Sequence, residues 1–353
     1  MKSKKFSPVL LVYAAIIVLM MSVVAGCGGQ AQQQPTQQKP VTIKLACVAS
    51  QQSPQWIYGV QVFKDRVEKN SGGRVVVEAH SGGSMGSERE IFEGIILGNI
   101  QAGALSTAPM SAVEPRIAIL ELPYLIESYD LADKIFDGPI GEEAKNMLLT
   151  KGVRVLAWME TDFRQISNSK RSVASPEDLK GLKIRVPDTP SLNMWFRELG
   201  ADPTPIPFPD IYPALQQKVV DGQDNGVLLT YAQKFFEVQP HLTLTNHCYY
   251  AASIVISDKF YQGLPDDLKQ VVSQAAKEAA ISERKGNRQV VSKFIDDMKK
   301  AGVKVVEPTA EARKKFQDSA IPVYRHYKKA GGPSAEFLEK VLKETGKESV
   351  IKS

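Results

Sequence analysis

Residues 265–300 form a 36-residue helical pattern that no proline interrupts after its first position. At 1.5 Å per residue such a helix reaches about 54 Å, longer than one small domain is wide. It is therefore either kinked or laid across two lobes. The segments before it alternate strand and helix signals. Residues 41–45 (VTIKL) read as a strand. Ser53-Pro54 then supplies an N-cap and a first-turn proline, and Trp56, Val60, Phe63 and Val67 recur at helical spacing. Ser71-Gly72-Gly73 stops that helix, and residues 74–79 form a second strand. Ser87 and Glu90 make a capping-box pattern that opens a helix through Ile91, Ile95 and Ile96. A strand over 102–106 follows. This βαβαβ run predicts an α/β sheet with helical crossovers.

A second block begins with a strand over 153–159 and another over 182–186, closed by Pro187. A helix over 189–199 follows, and Pro213 opens a further one ending at Gly222. Residues 248–256 are β-rich. At 353 residues the chain suits two domains or one large one. With 43% hydrophobic and 24% charged residues it is globular, which excludes a collagenous repeat or a multi-span membrane protein.

The chemistry that motifs would announce is missing. The four histidines (His80, His241, His247, His326) show no metal-ligand spacing, and there is no P-loop, no GxGxxG after a strand and no GxSxG elbow. Neither a metal nor a cofactor is expected. Cys47 and Cys248 lack a CxxC partner and read as two separate buried thiols. Three stretches instead gather polar groups at the ends of predicted strands: residues 160–165 (ETDFRQ), 180–187 (KGLKIRVP) and 220–225 (VDGQDN). In the second, Leu182, Ile184 and Val186 share one face, with Lys183 and Arg185 on the other. Arg185 is thus the last charge at a carboxyl-terminal strand end, where open α/β sheets bind ligands. A guanidinium offers a planar fork that matches the two oxygens of a carboxylate. For a single arginine at a strand end, a surface salt bridge is the ordinary alternative, and periodicity does not decide between them.

The N-terminus reads as a processing signal. Lys2, Lys4 and Lys5 precede an apolar run to about Met21, followed by Val24-Ala25-Gly26-Cys27. That is the pattern of an export signal over 1–26. Cys27 after two small residues resembles the lipobox of bacterial lipoproteins, which implies diacylation of its sulfur. Residues 27–40 then hold the lipidated cysteine and a Gln-rich tether broken by Pro35 and Pro40, whose 13 residues after Cys27 span roughly 20 Å. The folded body is expected outside the cytoplasm, lipid-anchored to the outer face of the cell membrane, on the periplasmic side where an outer membrane exists. The formal charge of +5 loses meaning accordingly. Without the three signal lysines, 41 basic residues face 39 acidic ones, and no nucleic-acid partner is indicated.

Longer runs carry a resemblance. DLKGLKIRVP (178–187), LGADPTPIPFPDIYPALQQKVVDGQDN (199–225) and YAQKFFEVQPHLTLTNH (231–247) are similar to the solute-binding subunits of TRAP transporters, the DctP family. So are SGGRVVVEAHSGGSMGSERE near the start of the body, LPYLIESYD (122–130) and LPDDLKQVV (264–272). The resemblance implies the two-lobed periplasmic-binding-protein (Venus flytrap) α/β fold, with hinge strands and a long helix crossing both lobes. Lobe I is expected over 41–160 with 250–288, and lobe II over 161–249 with 289–353. It implies no catalysis: a monomer closes on a small carboxylate and delivers it to one small and one large integral-membrane subunit.

Residue by residue, the resemblance makes Arg185 the principal salt bridge to the substrate carboxylate and Arg164 a second cleft arginine. Asn225 becomes a hydrogen-bonding partner of the ligand and Phe208 an aromatic wall. Asp188, Glu88, Ser106 and Thr107 fall at cleft-facing places. Two departures stand out: Gly226 follows Asn225 where proline is usual, and His80-Ser81 replaces a frequent Tyr-Pro pair. His80 is read as a loop-edge residue outside the pocket. His247 is read as structural, and Trp195 with Leu192, Phe196 and Leu199 as core packing. The rival readings are a binding lipoprotein of another importer or sensor, and an exported hydrolase or lyase using Glu88, Asp188 and Asp224. A C4-dicarboxylate, a 2-oxo acid, a sugar acid or an aromatic acid would each suit the arginine.

Overall fold

One nine-stranded mixed sheet organises the computed structural model, which describes residues 39–351. The strands are β1 (Val41–Ala46), β2 (Val75–His80), β3 (Ala102–Ser106), β4 (Val153–Asn168), β5 (Lys183–Val186), β6 (Asp202–Pro205), β7 (Gly222–Gly226), β8 (His241–Ser257) and β9 (Lys304–Val306). Their order is β2-β1-β3-β8-β4-β7-β5-β6, with β9 added to β8. The βαβαβ expectation holds: β1 pairs in parallel with both β2 and β3. Ser87 caps the helix Glu88–Leu97 in a complete capping box with Glu90, and Gly98 ends it with φ of 81°. The helix expected after Pro54 begins as a π-helical turn, Gln55–Val60, before continuing as Gln61–Asn70.

Two strands run much longer than their sequence patterns. β4 continues nine residues past Met159 and β8 begins seven before Cys248, so 16- and 17-residue strands pair antiparallel through the middle of the sheet. Their pairing slips at three places, one of them between Glu160 and Asp162. There Asp162 adopts a φ of 111°, rare for a residue with a side chain. Its carboxylate holds the bulge by accepting hydrogen bonds from Tyr129 Oη (2.8 Å), the Phe163 amide (2.7 Å) and the Val227 amide (3.1 Å). The helix expected from Pro213 to Gly222 is also shorter. It spans Ile211–Gln216, and Gly222 instead opens β7.

The long helix is continuous over Asp266–Lys300. Its first half, through Leu268, Val272, Ala275, Ala276 and Ala279, joins a core built with β1, β2 and the helix Gln61–Asn70. Near its other end, Met298 packs in a separate core with Val227, Leu242, Leu244 and Val303. The helix thus contributes to two separate cores. Gly286 sits between them because a Cβ there would lie 2.3 Å from the Tyr58 ring. The close crossing offsets the usual cost of about 1 kcal/mol for glycine inside a helix.

Candidate functional site

The three polar stretches of the sequence lie on three neighbouring strands, β4, β7 and β5. β7 is the middle one. It pairs antiparallel with β4, setting Asn225 opposite Gln165 and Gly226 opposite Arg164. It pairs in parallel with β5, setting Gln223 opposite Arg185. Two arginines far apart in sequence thereby reach one cavity of about 280 Å³. At about 30 Å³ per water this holds about nine waters, space for a molecule on the order of ten non-hydrogen atoms. Arg185, Arg164, Asn225, Phe208, Asp188, Glu88 and Ser106 all line it. Thr107 does not. It is buried behind the wall, its amide donating to the Ala251 carbonyl at 3.3 Å. His80 is likewise absent from the lining, and Cys27 lies outside the described residues.

The two arginines are in different electrostatic states. Arg164, 2% exposed, is already paired: its Nε and Nη2 donate to Asp224 Oδ2 and Oδ1, both at 2.8 Å. The guanidinium also lies 4.3 Å over the Tyr250 ring. Burial alone would push Asp224 up, but Arg164 beside it outweighs that and holds the carboxyl well below its ordinary range. His247 completes this group, Nε2 3.2 Å from Asp224 and Nδ1 2.8 Å from Thr245 Oγ1. Burial pushes its pKa down, so the neutral ring donates from Nε2 to Asp224 and accepts from Thr245. His247 is structural, stacked 4.7 Å from Trp195 in the core.

Arg185 has no such partner. It is 4% exposed, and its Nε donates to the Ile206 carbonyl at 2.9 Å. Among the described residues it makes no ion pair. Burial, and then the neighbouring Arg164, push its pKa down to about 10, which leaves it cationic at neutral pH. A buried guanidinium without an ion pair at a cavity wall has donors to offer an anion.

Glu88 approaches from the other side, at the first position of its helix. Its Oε1 accepts from the Ser106 amide (2.7 Å) and its Oε2 from Ser106 Oγ (2.6 Å). At the mouth, Arg89 and Asp188 pair at 3.0 Å, and a Cβ on Gly83 would touch Pro209 Cγ at 2.8 Å. The segment 83–89 thus meets the segment 188–209 across the opening. Gly226, which stands where proline is usual, is tightly enclosed: a Cβ there would sit 2.8 Å from that of Asp162. Tyr250, Thr161 and Gln55 also line the cavity. Thr161 falls within the polar stretch 160–165, whereas no sequence signal singled out Tyr250, because β8 is buried on both faces and shows no alternation, or Gln55, which sits in the π-helical turn Gln55–Val60. Cys47 and Cys248 are free and buried, in agreement with two separate thiols, and burial pushes the Cys47 thiol up to about 12. Among the described residues no cluster of histidine, cysteine or carboxylate side chains suits a metal ion. No described helix is long and apolar enough to cross a membrane.

Residues 45–330 match the family model DctP, bacterial extracellular solute-binding protein, family 7. The chain belongs to this family. As a family 7 solute-binding protein it binds a solute and is not an enzyme, which removes the hydrolase or lyase reading. It is 33% identical over 257 residues to the 2,3-diketo-L-gulonate-binding periplasmic protein YiaO of Escherichia coli, covering 73% of this chain and 78% of that one. The sugar acid binding protein DctPAm of Advenella mimigardefordensis, solved with galactonate, superposes with a TM-score of 0.84 at 32% identity, over 88% of this chain and 99% of that one. A TRAP periplasmic solute-binding protein of Sulfurospirillum deleyianum, solved with succinate, gives 0.81 at 30% identity, over 86% and 99%. The mixed α/β fold matches these structures, and two lobes agree with it.

Proposed function

We propose that this protein captures a small carboxylate outside the cytoplasm and hands it to the small and large membrane subunits of a TRAP transporter. The observation that carries this reading is Arg185, a buried guanidinium without a carboxylate of its own at the wall of a cavity sized for a metabolite. In this reading Arg185 makes the principal salt bridge. Arg164, anchored by Asp224, presents a second positive face, Asn225 donates or accepts beside it, and Phe208 closes one wall. Relatives solved with galactonate and with succinate support an organic acid as ligand.

The lobes divide at 160/161 and again near 249 and 288, with β4 and β8 as hinge strands. In an open cleft an arginine–carboxylate pair is solvated and contributes little. When the lobes close and water leaves, the same charge-assisted bonds strengthen, and that difference draws the population to the closed form. The body is a monomer tethered through a diacylated Cys27 after removal of residues 1–26.

Calorimetry on the soluble body tests the site. An organic acid is expected to bind, and Arg185→Ala to abolish binding while leaving the fold intact; normal binding by that variant refutes the clamp. The anchor is tested separately by expressing the full chain. Cys27→Ser is expected to move the protein from the membrane to the soluble fraction, and a variant that stays membrane-bound refutes lipidation at this residue.

A further inference from the structure

Glu88 sets a condition on the ligand that the arginines do not. It is a carboxylate on the wall of a cavity whose other wall carries Arg185 and Arg164. It makes no ion pair with either, yet stands within electrostatic reach of both. All three groups line the same cavity of about 280 Å³, so a ligand held there meets charges of both signs. Ser106 occupies one acceptor position on each Glu88 oxygen, and a carboxylate offers about four. What remains toward the cavity is acceptor capacity. Placement at the first turn of the helix Glu88–Leu97 favours the ionised form, because the amide dipoles there point their positive end at it. Burial outweighs this and leaves the pKa raised above the ordinary carboxylate value, with Ser106 and then the two arginines offsetting it only in part.

We infer that Glu88 selects a hydroxylated monocarboxylate, whose carboxylate meets Arg185 while a hydroxyl donates to Glu88, and disfavours a dicarboxylate. This rests on the carboxylate-capture reading above. A hydroxyl supplies the donor that Glu88 lacks. A second carboxylate at the same place brings two acceptors and two negative charges together in a water-poor cavity. The other acid at the cavity, Asp188, is exposed and already paired with Arg89, so it imposes no similar demand. A hydrogen bond to a charged acceptor corresponds to roughly 10- to 100-fold in affinity, and that is the discrimination expected.

The test compares four-carbon acids of matched size, D-erythronate and succinate, by calorimetry near neutral pH, with galactonate as a longer hydroxylated probe. The wild-type protein is expected to bind one of the hydroxylated acids at least about tenfold more tightly than succinate. Glu88→Gln keeps the side-chain shape and an acceptor for the Ser106 amide, and its fold is checked by thermal unfolding. It is expected to shrink the preference by about tenfold or more, weakening the hydroxylated acid and strengthening succinate. Succinate bound as well as or better than both hydroxylated acids overturns the inference, as does an unchanged preference in Glu88→Gln. If succinate binds in an Arg185-dependent way and the hydroxylated acids do not, Glu88 selection fails and the clamp stands. If neither class binds, both fail.

Discussion

Replacing Arg185 by methionine separates a residue held for a ligand from one held for the fold. The guanidinium is buried, and its pKa falls from 12.5 to about 10, chiefly through loss of water and secondarily through Arg164. At about 1.4 kcal/mol per pH unit, that charge costs the ligand-free protein about 3 kcal/mol. The opposing loss is the hydrogen bond from Nε to the Ile206 carbonyl, about 1 kcal/mol. A flexible methionine fills most of the vacated volume. Ligand-free Arg185→Met is therefore expected to be more stable than the wild type by about 2 kcal/mol in urea denaturation near pH 7. Binding moves the other way. Losing two charge-assisted bonds of about 1.5–3 kcal/mol each lowers carboxylate affinity by roughly 100- to 10,000-fold in calorimetry. A gain in stability with a loss of affinity is the signature of an arginine kept unpaired for a ligand. If the ligand-free variant were instead less stable than the wild type by more than about 1 kcal/mol, Arg185 would be a structural residue and the reasoning would fail.

Arg164 is expected to behave oppositely. Asp224→Asn leaves it buried without its carboxylate, so the ligand-free protein should lose about 3–5 kcal/mol in the same denaturation measurement; a loss under about 1 kcal/mol would mean that Arg164 does not depend on Asp224. Glu121 is 1% exposed and makes no ion pair among the described residues, and burial raises its pKa from 4.5 to about 7 despite the nearby Thr107 and Thr189 hydroxyls. Between those two pH values the folded protein holds a proton that the unfolded chain has released, so stability falls as pH rises across that window. Glu121→Gln should be nearly neutral near pH 4 and stabilising by up to about 3 kcal/mol near pH 8, measured by denaturation at both pH values; equal effects at the two would refute a raised pKa.

Several elements were legible because their signals are local. The capping box of Ser87 and Glu90, the strand Ala102–Ser106 and the uninterrupted helix Asp266–Lys300 each rest on residues within a few turns of one another. Arg185 was legible for the same reason: alternation along β5 and the stop at Pro187 place it at a strand end. The polar run 160–165 misled because such residues ordinarily end a strand. Here three of them find partners distant in sequence: Glu160 pairs with Arg288 at 2.9 Å, Arg164 with the buried Asp224, and Gln165 with Asn246. The strand therefore continues through them. Thr107 was placed on the cavity by the resemblance, but the chain leaves the extended conformation there, with helical φ of −73° and ψ of −16°, and its amide donates to the Ala251 carbonyl behind the wall.

By itself, then, the sequence determined the α/β alternation, the long helix and the polar stretches that carry the site. Preferences of the backbone and of side chains a few residues apart are sufficient for that. Only the tertiary structure decided which arginine is already neutralised and which is free. That depends on β7 lying between β4 and β5, and on Asp224 of β7 facing Arg164 of β4 while Arg185 of β5 receives no carboxylate. Charge pairing in a buried site depends on distances between strands remote in sequence, and spacing along one chain does not contain them.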